Sequence, residues 1–167
     1  MHSFNIESSD KLLDHVGWEI LLALQQDARL SYAEIGRRVG LSAPAVMERV
    51  RRLEDAGIIT GYTAKVDISR LGLPIQAVLR VRIPGDRYGH MQKVMNECPE
   101  VLECHHVTGD DCLIMKIAAA SMRDLERLIG RFGTFGPTTT SVILSSPVTE
   151  RIIDRRENDL SEQNGKH

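Results

Sequence analysis

Cysteine is scarce in this chain, with three thiols, Cys98, Cys104 and Cys112, among 167 residues. An odd number without framework spacing excludes a disulfide scaffold and leaves reduced thiols as the expectation. Long apolar runs are missing as well: no uninterrupted stretch approaches the roughly 20 residues that span a bilayer. The N-terminal MHSFNIESSDK does not have the basic, apolar, small-residue order of a secretory leader, so a cytoplasmic location is expected. Neither sign of charge dominates, with 21 Lys and Arg against 23 Asp and Glu and a formal net charge of −2. No nucleophile paired with a base, phosphate loop or grouped metal ligands occur together, and therefore no enzyme and no resident cofactor or metal is expected. What is present, 42% hydrophobic and 26% charged residues, suits one or two compact domains.

The most informative stretch is Ser31 to Gly57, SYAEIGRRVGLSAPAVMERVRRLEDAG. Ser31 and Glu34 form the S-x-x-E pattern in which a hydroxyl and a carboxylate satisfy unpaired backbone donors at a helix start. Tyr32, Ile35 and Val39 fall on one face of that helix, and Gly40 is placed to end it in the left-handed conformation. Ser42 then caps a second helix with Pro44 in its first turn, where the missing N–H costs nothing. Val46, Val50 and Leu53 repeat at helical spacing and should face a core. At about 100° per residue, Pro44, Met47, Glu48, Arg51 and Asp55 project to the opposite side, with Arg49 and Arg52 on the flanks. Two helices joined by a glycine turn fit a helix-turn-helix, whose second helix enters the major groove of double-stranded DNA. An ordinary amphipathic helix pair with a solvated charged face has the same periodicity.

The distribution of charge favours the first reading. From Arg37 to Arg52 there are five arginines, Arg37, Arg38, Arg49, Arg51 and Arg52, against one acid, Glu48, a local net charge of +4. So modest a patch predicts that affinity comes from presenting several copies, as a dimer does on two half-sites.

Ahead of this pair, Leu13, Val16, Ile20, Leu21 and Leu24 line one face of another helix, opened by Asp14 or a neighbour, completing a three-helix head. Trp18 points away from that stripe, either as an exposed ring or as an anchor at a subunit contact. After Gly57, IITGYTAKVD reads as a short hairpin or connecting strand that would form a wing. Residues 1–67 are thus expected to be the head, 68–74 a linker marked by Gly72 and Pro74, 75–148 a second domain, and 149–167 a polar tail in which RRENDLSEQNGKH is mobile.

In the second domain Gln76 to Ile83 alternates as a strand, with Ala77, Leu79, Val81 and Ile83 on one side. A helix follows Pro84 and Gly85, carrying Met91, Val94, Met95 and Cys98 on one face and ending at Pro99. Val101 to Thr108 and Cys112 to Ala119 read as a hairpin turning at Gly109, Asp110 and Asp111. Ser121 and Asp124 open another helix, with Leu125, Leu128, Ile129 and Phe132 on its apolar face, and Thr138 to Ser146 is the last strand. This βαββαβ order is ferredoxin-like: an antiparallel sheet with both helices on one face. Burying the other face, with Val78, Val142 and Leu144 or their alternates, against a second copy predicts a homodimer.

These pieces together, LQQDARLSYAEIGRRVGLS, AVMERVRRLEDAGIITGY, VDISRLG, VTGDD and TTTSVILSSPV, resemble the Lrp/AsnC family of leucine-responsive and asparagine-synthetase regulators, the feast/famine transcription factors. The match runs from about Leu13 to Val148. The resemblance implies an α+β chain with a winged helix-turn-helix head and a ferredoxin-like (RAM-type) domain that dimerises and often assembles into tetramers or octamers. It also implies a small effector, usually an amino acid, held between dimers near the turn Thr108 to Cys112 and the strand start Thr138 to Ser141 of another subunit. Asp110 or Asp111 suits an α-ammonium, and the N–H groups around Gly109 with the hydroxyls of Thr138, Thr139 and Thr140 suit an α-carboxylate. Gly-Asp-Asp is also a good hairpin turn with no ligand at all. Two positions depart from the pattern. Cys112 stands where many relatives carry an acid, and Gly17 stands three residues after Asp14 where an acid is common, so the first helix should fray.

The expected DNA-binding residues are Ser31, Arg37, Arg38, Ser42, Pro44, Met47, Glu48, Arg49, Arg51 and Arg52. The expected effector-binding residues are Thr108, Gly109, Asp110, Asp111, Cys112, Thr138, Thr139, Thr140 and Ser141. The expected function is a sequence-specific transcriptional regulator that binds DNA and assembles in response to a small effector. The alternative is a DNA-binding metal or redox sensor using Cys104, His105, His106 and Cys112, although alternation along a strand sends His105 to the face opposite Cys104 and His106.

Overall fold

The computed structural model describes residues 11–83, 88–109 and 113–155. The chain divides into two compact units, one of Met1–Ala64 with Val148–His167 and one of Lys65–Pro147. The division falls before the expected 68–74 linker because that stretch has structure of its own. Asp67 accepts from the Ser69 N–H at 3.0 Å and caps a 3-10 turn, Ile68–Leu71, which Gly72 closes at φ +86°. The first part of the polar tail, as far as it is described, returns to the head. The Gln25 side-chain amide donates to the Ile153 carbonyl at 2.8 Å and accepts from the Ile153 N–H at 2.8 Å. Residues 156–167 lie outside the described residues.

Among the described residues the head contains α1 (His15–Gln26), α2 (Tyr32–Val39) and α3 (Ala43–Asp55). Its core joins Ile20, Leu21 and Leu24 of α1, Ile35 of α2, and Val46, Val50 and Leu53 of α3, the apolar stripes the periodicity predicts. Trp18 is partly buried against this core, correcting its expected outward direction: a ring this large reaches the apolar surface from the flank of the stripe. Gly17 does not leave α1 frayed. Asp14 caps the helix by accepting the Gly17 N–H at 2.7 Å, and a β-carbon at residue 17 would lie 2.0 Å from the Leu12 carbonyl oxygen. The glycine permits the preceding chain to fold back onto the helix.

Neither the expected hairpin nor a connecting strand forms between Gly57 and Asp67: Gly57 turns, Ile58 and Ile59 bend, and residues 60–67 make no ladder pairing. Gly57 has φ +68°, the N–H groups of Ile58 and Ile59 bond the Leu53 carbonyl, and both isoleucines pack on the head core. Their apolar character serves to end α3.

The second unit contains β1 (Ile75–Val81), α4 (Tyr88–Asn96), β2 (Val101–His106), β3 (Leu113–Ala119), α5 (Met122–Gly133) and β4 (Thr138–Val142). The strands form one antiparallel sheet in the order β2-β3-β1-β4, the expected ferredoxin-like arrangement. Ala77, Leu79 and Val81 of β1 and Leu113, Met115 and Ile117 of β3 are buried with Met91, Leu125, Leu128 and Phe132 of the helices. Three strands end earlier than expected. β2 ends at His106 instead of Thr108. β1 ends at Val81, although Ile83 remains buried, and β4 ends at Val142 instead of Ser146. The last bond along β4 runs from the Ile143 N–H to the Gln76 carbonyl at 2.8 Å. Leu144 would fall opposite Ile75 in this register, but it makes no ladder pair and is 95% exposed.

Candidate nucleic-acid interface and effector site

The reading surface of the head is set by caps at both ends of its turn. Ser31 and Glu34 make the reciprocal pair, with the Ser31 N–H donating to Glu34 Oε2 at 2.8 Å and the Glu34 N–H to Ser31 Oγ at 3.3 Å. The Ser31 hydroxyl also donates to Glu34 Oε2 at 2.6 Å, and these bonds hold the Glu34 carboxyl below its ordinary range. Ser31, expected at the DNA, is therefore committed to starting α2. Gly40 at φ +71° turns the chain, and a β-carbon on Gly36 would lie 2.4 Å from the Leu41 carbonyl oxygen. Ser42 Oγ then accepts the Ala45 N–H at 3.4 Å and starts α3 with Pro44 in its first turn.

This turn leaves Pro44, Met47, Glu48, Arg51, Arg52 and Asp55 exposed on α3, and Arg37 and Arg38 exposed at the end of α2. Arg52 pairs with Glu48 at 3.0 Å, and Arg51 lies 3.8 Å from Asp55. Such exposed pairs one turn apart are weak and exchange readily for phosphate partners. Arg49 is different. Its guanidinium lies against Asp14, with Nη1 to Oδ1 at 2.8 Å and Nη2 to Oδ2 at 3.0 Å. Arg49, expected among the DNA contacts, thus has both arms of its guanidinium engaged by Asp14 in the DNA-free chain. Nothing in the sequence signals the pair, because 35 residues separate its members.

In the second unit, the candidate effector residues gather at one end of the sheet. His106 pairs with Leu113, Leu113 with Val81, and Val81 with Thr138, one row across all four strands. Thr108 and Gly109, the latter at φ +108°, follow β2 at this end. Asp110, Asp111 and Cys112 lie outside the described residues. The four β4 candidates divide between faces. Thr138 and Thr140 sit opposite Val81 and Leu79 on the helix side, Thr139 and Ser141 opposite Arg80 and Val78 on the open side. Since β3 and β1 lie between β2 and β4, the end of β2 that leads to Thr108 and the Thr138 end of β4 stand roughly 14 Å apart.

The residues of the alternative sensor separate in the same way. Cys104 and His106 lie opposite Met115 and Leu113 on the helix side, and His105 lies opposite Ile114 on the open side. Cys104 and His106 line an open groove of about 350 Å³ with Gln92, Met95, Asn96 and Leu102. Burial pushes the Cys104 thiol pKa up, away from the thiolate that binds metal. Among the described residues no three His, Cys, Asp or Glu side chains converge as a metal cage. Among the same residues no helix is long and apolar enough to cross a membrane.

Comparison with known proteins agrees with both halves of this geometry. Residues 13–60 match the family model described as winged helix-turn-helix DNA-binding, and residues 76–153 match the Lrp/AsnC ligand binding domain. The HTH-type transcriptional regulator LrpC of Bacillus subtilis is 36% identical over 133 residues, covering 80% of this chain and 92% of its own. Its solved structure superimposes with a TM-score of 0.78 over 83% of this chain and 99% of that one. A Neisseria meningitidis transcriptional regulator, solved as a complex with L-Met, has a TM-score of 0.78 at 27% identity and covers 89% of this chain and 99% of its own. A feast or famine regulatory protein from M. tuberculosis, complexed with L-methionine, has a TM-score of 0.73 at 29% identity, covering 84% and 99%. With a DNA-reading head joined to this ligand-binding domain, the chain belongs to the Lrp/AsnC family of helix-turn-helix transcriptional regulators, which are not enzymes.

Proposed function

We propose that this regulator reads a specific operator in double-stranded DNA as a homodimer or larger assembly, and that an amino acid bound between copies controls it. The observation that carries the reading is exposure: Ser42, Pro44, Met47, Glu48 and Arg51 at the start and outer face of α3 are available for base edges, and Arg52 of α3 with Arg37 and Arg38 of α2 for phosphates. Local charge supports the assembly. A head whose +4 window already spends Arg49 on Asp14 has few free cations for phosphate and binds tightly only in multiple copies.

The open face of the sheet supplies the surface for a second copy. Val78 and Ile114 are only partly buried there, whereas Val142, expected on this face, lies opposite Ala77 on the helix side because alternation from Thr138 carries it there. A two-fold related chain covering this face removes that apolar area from water. Further contacts between dimers then complete an effector site from the Thr108–Cys112 turn of one copy and Thr138 to Ser141 of another. The two relatives solved with methionine support an amino-acid effector.

The DNA role is tested by titrating the protein onto its own upstream region at several salt concentrations, with Arg51→Ala and Arg52→Ala combined. The expected result is weaker binding, with the slope of log affinity against log salt reduced by about 2 per head, close to one unit for each phosphate that the head no longer neutralises. Unchanged affinity and slope would sink the role. For the effector, a thermal-shift screen of the twenty amino acids should show at least one that raises the melting temperature. Silence across all twenty, with a response to added zinc, would instead favour the sensor reading at Cys104 and His106.

A further inference from the structure

The Asp14–Arg49 pair joins two elements with little else to align them. α3 packs chiefly on α2 and only sparsely on α1, and its inward contacts, Val46, Val50 and Leu53, are apolar. Apolar contacts set how closely a helix approaches but are non-directional, so they resist sliding and roll weakly. A carboxylate facing a guanidinium through two parallel hydrogen bonds is directional and fixes both groups in one plane. Asp14 is itself fixed, because Oδ1 accepts the Gly17 N–H at 2.7 Å as well as Arg49 Nη1 at 2.8 Å, while Oδ2 accepts Nη2 at 3.0 Å. Arg49 lies on α3 about 140° around from Pro44 at 100° per residue, nearer the core than the reading face. Its side chain is 36% exposed, against 73% for Arg51 and 61% for Arg52.

We propose that Asp14 and Arg49 form a fork that sets the roll of α3 in the groove, making both of them positioning residues for DNA reading and not DNA contacts. This rests on the reading of α3 as the groove helix. Asp14 is charged at neutral pH, since hydrogen bonds from Arg49, outweighing partial burial, hold its carboxyl below the ordinary range. The rival role for Arg49 is a phosphate contact that Asp14 merely holds when DNA is absent. The two roles make opposite demands on Asp14. A fork needs it, whereas a phosphate-binding Arg49 is released by losing it.

The experiment is a double-mutant cycle on the full chain with Asp14→Asn, Arg49→Gln and their combination. Each protein is titrated at several salt concentrations onto its own upstream duplex and onto a scrambled duplex of equal length. Asparagine keeps the cap on α1, being as good an N-cap as aspartate. Arg49→Lys is the companion variant: it keeps a cation for phosphate, loses the flat fork, and stands in if the glutamine variant does not fold by circular dichroism. A positioning fork predicts that Asp14→Asn, Arg49→Gln and Arg49→Lys each lose about 3- to 30-fold on the specific duplex, the range for coupled contacting side chains. It also predicts that the combined variant is no worse than either of its parents, that Asp14→Asn leaves the salt slope unchanged, and that its binding to the scrambled duplex stays within about twofold of wild type.

Equal or tighter specific binding by Asp14→Asn, with Arg49→Gln losing about one unit of salt slope and Arg49→Lys keeping it, would overturn the fork while leaving the DNA reading intact. Wild-type protein that does not prefer its upstream duplex to the scrambled one would overturn that reading and the fork with it.

Discussion

In the head, three helices of 12, 8 and 13 residues each begin at a side chain that caps its own backbone: Asp14, Ser31 and Ser42. In the second unit the strands are placed by partners distant in sequence, as β4 is by its antiparallel pairing along β1 from Val81 to Ala77. The head is thus organised by contacts a few residues apart, the sheet by pairings such as Ile75 with Ala119. The difference teaches where each half keeps its function. Local caps leave one helix face exposed to read DNA, while long-range register gathers residues from separate strands at one sheet end.

The sharpest way to break this comparison is to damage one core and watch the other. Trp18 is the single tryptophan and packs on the head core, so its fluorescence reports the head, whereas far-ultraviolet circular dichroism reports both units. Phe132→Ala, which empties a fully buried site against the sheet, should cost the second unit about 3–5 kcal/mol. The tryptophan transition should stay within about 0.5 kcal/mol of wild type; a coincident shift of both signals would show that the two units unfold as one.

Gly17→Ala sharpens the head side. In an open helix this change stabilises by about 1 kcal/mol, but here the new methyl meets the Leu12 carbonyl and should cost about 1–3 kcal/mol in the tryptophan transition. A stabilised variant would show that the preceding chain does not fold back as described. Ser31→Ala removes the cap from α2 and should cost about 1 kcal/mol, read by the same fluorescence melt; no loss would mean that α2 does not depend on its local start signal.

The smallest effect is spectroscopic. Burial, and then the 2.9 Å hydrogen bond to Glu54, push the Tyr62 phenol up to about 12. Folding therefore favours the neutral phenol: its contribution is complete below the ordinary value near 10 and is lost as pH rises through about 12. Ultraviolet titration of tyrosinate should show one late-ionising tyrosine that moves down in Glu54→Gln. An unmoved midpoint would separate Tyr62 from Glu54.

The same contrast explains what was legible in the sequence. The capping box at Ser31 and Glu34, the turn at Gly40, the stripe of Val46, Val50 and Leu53 and the alternation of Ala77, Leu79 and Val81 were all readable, because each is a pattern within a few residues of itself. The reading failed where distant segments meet. Ile58 and Ile59 suggested a hairpin, but their apolar side chains complete the head core. Gly17 suggested a weak helix because the returning Leu12 carbonyl has no local signature. Arg49 looked like any flank arginine of a basic helix until Asp14 was brought beside it.

Helical and strand periodicity and the caps are properties of neighbouring residues, so the chain alone determined three helices, then a βαββαβ order, and placed the exposed face of α3 opposite its apolar stripe. Whether a charge on that helix meets another segment of the head, and which strand ends share one row of the sheet, depends on packing between segments tens of residues apart. Only the tertiary structure settled that, because burial and register are set by whichever partner arrives, and no local pattern encodes it.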